Sequence, residues 1–280
     1  MTRFRRPVLA IGAVLFAISA TGCGGSSGTP SPTPQPRLSD PNEIVARSFA
    51  RLESTTAFHV DGTLGGSINA GSLGQLTGGA LAGMSGTIKV DGTLIAGDVD
   101  MTNQAFDMSL ALPATLFGIT AEVILVGGYM YTNVNVLGSK YTKVKVPASV
   151  LMTSAAPSAT LNFADVVRQL KSRLDSGGVT YVLAGLDTVG GRDAYHVVVN
   201  VPSALVGQEI AAIGGSAASG IALDLAPVDY WVYVNSLQPA KLELKASSST
   251  LGNLDLALTL TKYDQPVQIK APPDSQVQAG

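Results

Sequence analysis

Two histidines and one cysteine are the side chains of this 280-residue sequence that are best suited to chemistry. His59 and His196 each lie in a segment that alternates like a strand, and the only acidic residues close to them in sequence are Asp61 and Asp193. Metal sites and nucleophilic sites usually recruit several Cys, His, Asp or Glu side chains. We therefore expect both histidines to be satisfied positions of a sheet. We expect no metal, no cofactor and no enzymatic activity.

One short motif resembles that of a hydrolase. The stretch 24–28, Gly-Gly-Ser-Ser-Gly, matches the G-x-S-x-G pattern of a nucleophilic serine. That chemistry needs a strained turn between a strand and a helix, and here the motif lies in a linker with neither element beside it. An exported hydrolase is therefore the least favoured alternative.

The single cysteine follows a segment with the features of an export signal. Three arginines, Arg3, Arg5 and Arg6, precede an almost wholly apolar run over 7–20, which is short for a bilayer span. Ala20-Thr21-Gly22-Cys23 resembles a bacterial lipobox, with Ala20 where leucine is usual. We expect cleavage after residue 22 and acylation of Cys23, which would anchor the protein on the extracytoplasmic face of the cell membrane. The alternatives are a secretory signal with a free thiol, or an uncleaved anchor helix.

The composition limits the partners. Loss of the three signal arginines changes the formal net charge from −2 to −5, which argues against nucleic acid as a partner. Only 14% of residues are charged while 46% are hydrophobic, against about 25% charged in average domains. A domain of this composition either packs a large interior or lines an apolar cavity. One cysteine also excludes an internal disulfide.

Composition shifts along the chain predict its organisation. A Gly/Ser/Pro/Thr linker occupies 23–39, a domain occupies 40–272, and a polar tail occupies 273–280. Within the domain, helical spacing over 41–54 begins with Asp40, Pro41 and Glu43, which are typical of a helix start. A second helix is predicted over 162–175, with Asn162 as its cap and glycines after its end.

The remaining segments alternate with a period of two, which predicts strands. The pentapeptide VDGTL occurs at 60–64 and again at 90–94. Gly62 and Gly92 could mark Asp-Gly turns, but the alternation favours glycines within strands, at a bulge or at the close approach of another group. The predicted strands are 58–64, 88–94, 98–112, 120–126, 129–134, 141–146, 179–183, 194–201, 229–234, 241–247, 254–262 and 267–269.

Alternating strands with one apolar side predict antiparallel pairing. The predicted fold is α+β: one strongly curved antiparallel sheet, a half-barrel, with helices in its concave face and an apolar cavity between them. The pocket candidates are Ile44, Phe49, Leu52, Met108, Leu110, Leu112, Val166, Leu170, Leu242, Leu244, Leu256 and Leu258. Apolar residues in two Gly-rich segments, 67–85 and 202–221, are candidates for a gate: Leu76, Leu81, Met84, Leu205, Ile210 and Ile213.

Several patterns, in their order along the chain, resemble the LppX/LprAFG family of mycobacterial and actinobacterial cell-envelope lipoproteins, which are akin to LolA-type lipid carriers. The patterns are the lipobox at Cys23, helix 41–54 leading into FHVDGT at 58–63, helix 162–175, the hairpin Gly190-Gly191-Arg192 with Tyr195-His196-Val197 before Val201-Pro202, and the ending YDQPVQIKAP at 263–272.

This resemblance implies a half-barrel that holds acyl chains and helps to move an envelope lipid outward. The expected partners are a lipid or glycolipid with two or more acyl chains, the cytoplasmic membrane through acylated Cys23, and an envelope lipid transporter. The rival hypothesis is a scaffold, adhesin or regulatory lipoprotein in which the same domain has a filled core.

Overall fold

The computed structural model describes residues 37–70, 86–116, 118–136, 138–146, 162–206 and 223–279. The predictions for the signal segment, for Cys23 and for the linker up to residue 36 lie outside these residues. Within the described ranges, no helix is long and apolar enough to cross a membrane.

A single large sheet forms the folded unit. In the described residues its strands are β1 (Ala57–Asn69), β2 (Thr87–Lys89), β3 (Thr93–Asp100), β4 (Ala105–Ala111), β5 (Thr120–Val126), β6 (Tyr129–Val134), β7 (Tyr141–Lys145), β8 (Thr180–Val189), β9 (Arg192–Asn200), β10 (Asp224–Leu225), β11 (Val228–Tyr233), β12 (Pro239–Ser248), β13 (Gly252–Thr261) and β14 (Val277–Ala279). Two helices accompany it, α1 (Pro41–Glu53) and α2 (Phe163–Ser176).

The strand order is β14-β7-β6-β5-β4-β3-β1-β13-β12-β11-β9-β8, with β2 beside β1 and β10 beside β12. Every pairing is antiparallel except that of β14 with β7, which is parallel. The two outermost strands of this order do not pair with each other, so the curved sheet stays open. This confirms the predicted α+β half-barrel.

The sequence signals at both helices act as predicted. The Asp40 carboxylate accepts a hydrogen bond from the Asn42 amide at the start of α1, and Ser54 ends the helix. Glu43 pairs with Arg47 at 2.5 Å. Asn162 accepts a bond from the Ala164 amide at the start of α2. These caps satisfy amides that the first helical turn leaves without partners.

The chain enters the folded unit at one end of the strands, which we call the proximal end. Arg37 pairs with Asp193 beside the β8–β9 hairpin at 3.2 Å, and the Leu38 amide donates to the Tyr195 hydroxyl at 2.8 Å. The opposite end, called the distal end, carries the β4–β5 and β6–β7 connections.

Three strand predictions differ from the structure. The segment 98–112 is two strands, because Asp100 accepts bonds from Asn103 and Gln104 takes a positive φ of 54°, which makes a tight turn. Gly92, with a φ of 82°, lies in the turn between β2 and β3 rather than within a strand. Residues 267–269 form no strand, whereas 277–279 do.

Candidate functional site

The sheet has two faces, and α1 identifies the inner one. Ile44 and Val45 are buried against Val197, Val199 and Val232 of β9 and β11. Paired residues of neighbouring strands lie on the same face, so the registers extend this inner face across the whole sheet. From β13 to β6 its residues include Phe58, Val60, Gly62, Leu64, Ile95, Gly97, Val99, Phe106, Met108, Leu110, Ala121, Val123, Leu125, Met130, Thr132, Val134, Leu254, Leu256, Leu258 and Leu260.

From β13 to β6, no charged side chain occupies an inner-facing strand position among the described residues; the charged residue on this face is Asp193 of β9, at the proximal end, where it pairs with Arg37. The other polar groups on this face are hydroxyls, amides and backbone atoms. The neighbouring outer positions carry Asp61, Asp98, Asp107, Glu122 and Lys241, since they alternate with the apolar ones. The inner face from β13 to β6 is therefore suited to apolar material and has no charged strand residue to pair with an ion.

One half of the inner face is filled by the protein itself. Beneath α1, Ile44, Val197 and Val232 have no exposed surface. The Ser48 hydroxyl, also fully buried, lies 2.7 Å from the Tyr230 hydroxyl of β11. Burial raises the pKa of Tyr230, against the opposing effect of this hydrogen bond. This half is an ordinary protein core.

The other half is not filled in this way. Met108, Leu110, Leu256 and Leu258 stay partly exposed. Helix α2 has amphipathic spacing but no buried residue, and its Val166 and Leu170 are 36% and 49% exposed. Two apolar surfaces of the same domain thus remain incompletely covered.

Helix α2 reaches from one side of the sheet to the other. At its start, the Phe163 ring lies 6.4 Å from that of Phe106 on β4, and the Phe163 amide donates to the Gln104 side chain. Its end leads directly into β8, seven positions from β4 in the strand order. Along its length it packs against α1, and Arg168 approaches Glu53 at 3.6 Å. The helix therefore runs from β4 to β8 and packs mainly on α1.

Two glycines shape the floor of the open half. A Cβ atom on Gly62 would lie 2.5 Å from Leu258 Cδ2 and 2.8 Å from the Ala257 carbonyl oxygen. A Cβ on Gly97 would lie 2.4 Å from the Met108 sulfur. The register is continuous at both positions, so neither is a bulge. They let the Leu258 and Met108 side chains lie across the sheet.

One buried hydroxyl has no hydrogen-bond partner among the described residues. It belongs to Tyr181 of β8, which packs against the α1 core. Its burial, with a smaller effect from Asp175, raises its pKa. An unpaired buried hydroxyl costs about 1–3 kcal/mol. Nothing in the sequence pattern of β8 indicated it.

The structure separates the predicted pocket residues into groups. Ile44 belongs to the filled core, and Leu242, Leu244 and Phe49 pack against that core. Leu52 is a partly exposed residue of α1. The open half and its covering helix contain Met108, Leu110, Leu256, Leu258, Val166 and Leu170.

The last pocket candidate and the gate candidates lie elsewhere. Leu112 follows β4 in the distal β4–β5 connection, where its amide donates to the Ile119 carbonyl. Of the gate candidates, only Leu205 lies among the described residues. Its side chain packs closely on Gly177, because a Cβ atom added to that glycine would lie 2.5 Å from Leu205 Cδ2. The others, Leu76, Leu81, Met84, Ile210 and Ile213, lie outside the described residues.

Both histidines lie on the outer face. His59 Nδ1 is 2.7 Å from Asp98 and its Nε2 is 3.3 Å from Asp61. His196 stacks on Trp231 with ring centroids 4.5 Å apart, and its Nε2 is 2.6 Å from Asp229. Within the described ranges, no group of three or more His, Cys, Asp and Glu residues could hold a metal ion.

A row of carboxylates on the outer face was not predicted. Burial raises the pKa of Asp107 to about 6, aided by the charge and hydrogen bond of Glu122 and by the charge of Asp98. Glu122 also accepts a 2.5 Å bond from the Tyr141 hydroxyl. Burial and this bond raise the pKa of Tyr141 to about 12. The alternation marks these positions as outward, but only strand pairing brings them together.

Comparison with known proteins shows structural similarity to several solved structures. No family model matches the chain, and no curated protein matches it. Among solved structures, Mycobacterium tuberculosis LppX is 14% identical, with 83% of this chain and 100% of that chain covered and a TM-score of 0.49. Mycobacterium bovis LprF is 17% identical, with 82% and 95% covered and a TM-score of 0.45.

A LolA superfamily protein from Nitrosomonas europaea is 11% identical, with 85% of this chain and 97% of that chain covered and a TM-score of 0.26. All three scores are below 0.5, so the strand order and helix placement define the fold here. The chain's structural neighbours thus include LppX and LprF, two members of the lipoprotein family that its sequence pattern resembles.

Proposed function

We propose that this chain binds acyl chains of a lipid or glycolipid between α2 and the open half of the inner face, and helps to carry that lipid across the cell envelope. The observation that supports this is the pair of uncovered apolar surfaces. Helix α2 has no buried residue, and the inner-facing leucines of β13 are only partly covered.

The energetics favour an apolar guest. Burying apolar surface contributes about 25 cal/mol per Å², or about 0.8 kcal/mol for each methylene. Val166, Leu170, Met108 and Leu256 would all lose exposed surface against an acyl chain. The gain over one chain of membrane-lipid length offsets much of the cost of its extraction from a bilayer.

The open half also limits the kind of lipid. Without charged strand residues from β13 to β6, the open half has no partner for an ionic head group, so the head group stays outside and the chains enter. From β13 to β6 the sheet makes five interstrand steps, about 24 Å in total. That width is suited to two or more chains side by side.

The same proposal includes a membrane anchor. Acylation of Cys23 would hold the domain at the extracytoplasmic face of the cell membrane, where lipid is available, and an envelope lipid transporter would be the natural partner for delivery. Palmitate labelling of the wild type and of Cys23→Ala tests the anchor. Loss of label in Cys23→Ala is expected, and equal label in both would contradict acylation at this residue.

Native mass spectrometry tests cargo binding. The Cys23→Ser chain from residue 23 onward, purified from a lipid-rich bacterial host, should carry an added mass that organic solvent removes and that fragments as a lipid. If the purified protein carries no lipid and takes up none from micelles, the domain is instead a scaffold with a filled core.

Two matched alanines provide the control. Ala121 faces inward on β5 and Ala257 faces outward on β13, where it lines an open groove of about 370 Å³. Ala121→Trp places an indole in the open half and should reduce bound lipid severalfold. Ala257→Trp should leave it unchanged. Equal loss in both variants would contradict binding at the inner face.

A further inference from the structure

The distal end of the sheet carries two neighbouring connections that are poor in charge and rich in apolar residues. We call their described residues the rim loops: 112–116 and 118–119 of the β4–β5 connection, and 135–136 and 138–140 of the β6–β7 connection. The first contains no charged residue, and the second contains only Lys140. By contrast, the β8–β9 hairpin at the proximal end is followed directly by Arg192 and Asp193.

Apolar side chains of the rim loops reach the surface. Val136 is 57% exposed, as high a value as any large hydrophobic residue described. Leu112, Leu116 and Ile119 are each partly exposed. An isolated exposed valine is ordinary, but here four exposed or partly exposed apolar residues lie on two adjoining connections, and we call them together the patch.

Asn135 fixes the two loops to each other. Its side-chain oxygen accepts a bond from the Thr120 amide, and its side-chain nitrogen donates to the Gly118 carbonyl, both at 3.1 Å. Its own amide donates to the Thr120 carbonyl at 3.0 Å. The patch is therefore built on a bonded framework.

The patch is continuous with the inner face. Leu110, Ala121 and Val134 are neighbours across β4, β5 and β6, and they are inward-facing residues at the distal ends of these strands. The rim loops begin immediately beyond them. An acyl chain leaving the open half at this end would pass the exposed apolar residues of the rim loops.

From this arrangement we infer that the rim loops dock on a lipid bilayer surface. Four side chains are too few for a stable dimer, which buries about 800 Å² on each partner, whereas a bilayer needs no complementary shape. Lys140 and the absence of acidic residues in both loops suit anionic head groups. The inference extends the proposed function, and membrane docking can fail while cargo binding holds.

Vesicle sedimentation tests it with the Cys23→Ser chain, which has no acylation site. Vesicles of phosphatidylcholine and phosphatidylglycerol in a 3:1 ratio should bind the protein. Val136→Asp should weaken binding about tenfold or more. Val182→Asp is the matched control, because Val182 is 53% exposed but lies on the outer face of β8, at the other edge of the sheet. It should bind like the wild type.

A second pair of variants tests the contribution of the Lys140 charge to vesicle binding. Lys140→Glu should weaken binding to the anionic vesicles about tenfold, and should have little effect on pure phosphatidylcholine. Lys262→Glu, exposed just after β13 at the proximal end, should change neither. Absence of vesicle binding by the wild type, equal losses in Val136→Asp and Val182→Asp, or a wild-type dimer that Val136→Asp separates would each overturn the inference.

Lipid content measured on the same samples separates this inference from the proposed function. Bound lipid that persists in Val136→Asp, together with lost vesicle binding, is the expected result. If the wild type holds lipid but binds no vesicles, the docking inference alone fails. If it binds vesicles but holds no lipid, cargo binding alone fails.

Discussion

The carboxylate of Asp107 should make the domain less stable as the pH rises. Its pKa in the folded protein is about 6, against an ordinary value of 3.8, chiefly because of burial and secondly because of Glu122. Between these two values the folded state binds more protons than the unfolded state, so the free energy of unfolding falls as the pH increases. Well above pH 6, where Asp107 is ionised in both states, the free energy of unfolding no longer changes with the titration of this residue.

The magnitude follows from the size of the shift. A shift from 3.8 to about 6 corresponds to about 3 kcal/mol at full strength. The side chain is partly exposed, and solvent screening reduces this to about 1 kcal/mol. Asp107→Asn cannot ionise, so it should exceed the wild type in free energy of unfolding by about that amount at pH 8. At pH 4 the gain should disappear.

Urea denaturation at pH 4, 5, 6, 7 and 8 measures this difference. Asp187→Asn is a control of opposite sign, because a bond from the Trp231 indole, and then one from the Thr188 amide, lower the pKa of Asp187. Stabilisation from that carboxylate is present above pH 3.8, so its loss should destabilise the variant at neutral pH. An Asp107→Asn gain that is equal at pH 4 and pH 8 would refute the reasoning.

Three further predictions concern stability, and thermal denaturation checks each. Gly62→Val should lower the free energy of unfolding by about 2 kcal/mol, because the valine side chain would overlap that of Leu258. An unchanged melting temperature would show that Leu258 can move aside, and would contradict this expectation. Tyr181→Phe removes a hydroxyl without a hydrogen-bond partner among the described residues, so it should raise the free energy of unfolding by about 1 kcal/mol. Tyr230→Phe removes the hydrogen bond to Ser48, so it should lower that free energy by a similar amount. Equal changes in the two variants would contradict this reasoning. Asp40→Ala should cost about 1 kcal/mol through the lost cap of α1, and Asp40→Asn should restore most of it.

Local sequence signals were sufficient for the helices. Asp40 and Asn162 each supply a side-chain oxygen to the first turn, and the glycines at 177–178 follow the second helix as predicted. The alternation also placed Met108 and Leu256 correctly on the inner face. These features depend on residues that are close to each other along the chain, so they can be predicted from the local sequence.

Features that depend on distant partners were not predictable in the same way. The pairing of β14 with β7 joins residues more than 130 positions apart. The turn after Asp100 has no glycine or proline, and it forms because Asn103 donates to that aspartate. Which apolar residues lie under α1 and which stay open depends on where α2 crosses the concavity, and alternation does not encode that position.

The ion pair between Arg37 and Asp193 has a consequence for the two ends of the sheet. It fixes the first described residues of the folded unit at the proximal end, whereas Val136 and the other exposed apolar residues of the rim loops lie at the distal end. One end of the sheet therefore receives the chain, and the opposite end remains free to present its apolar side chains.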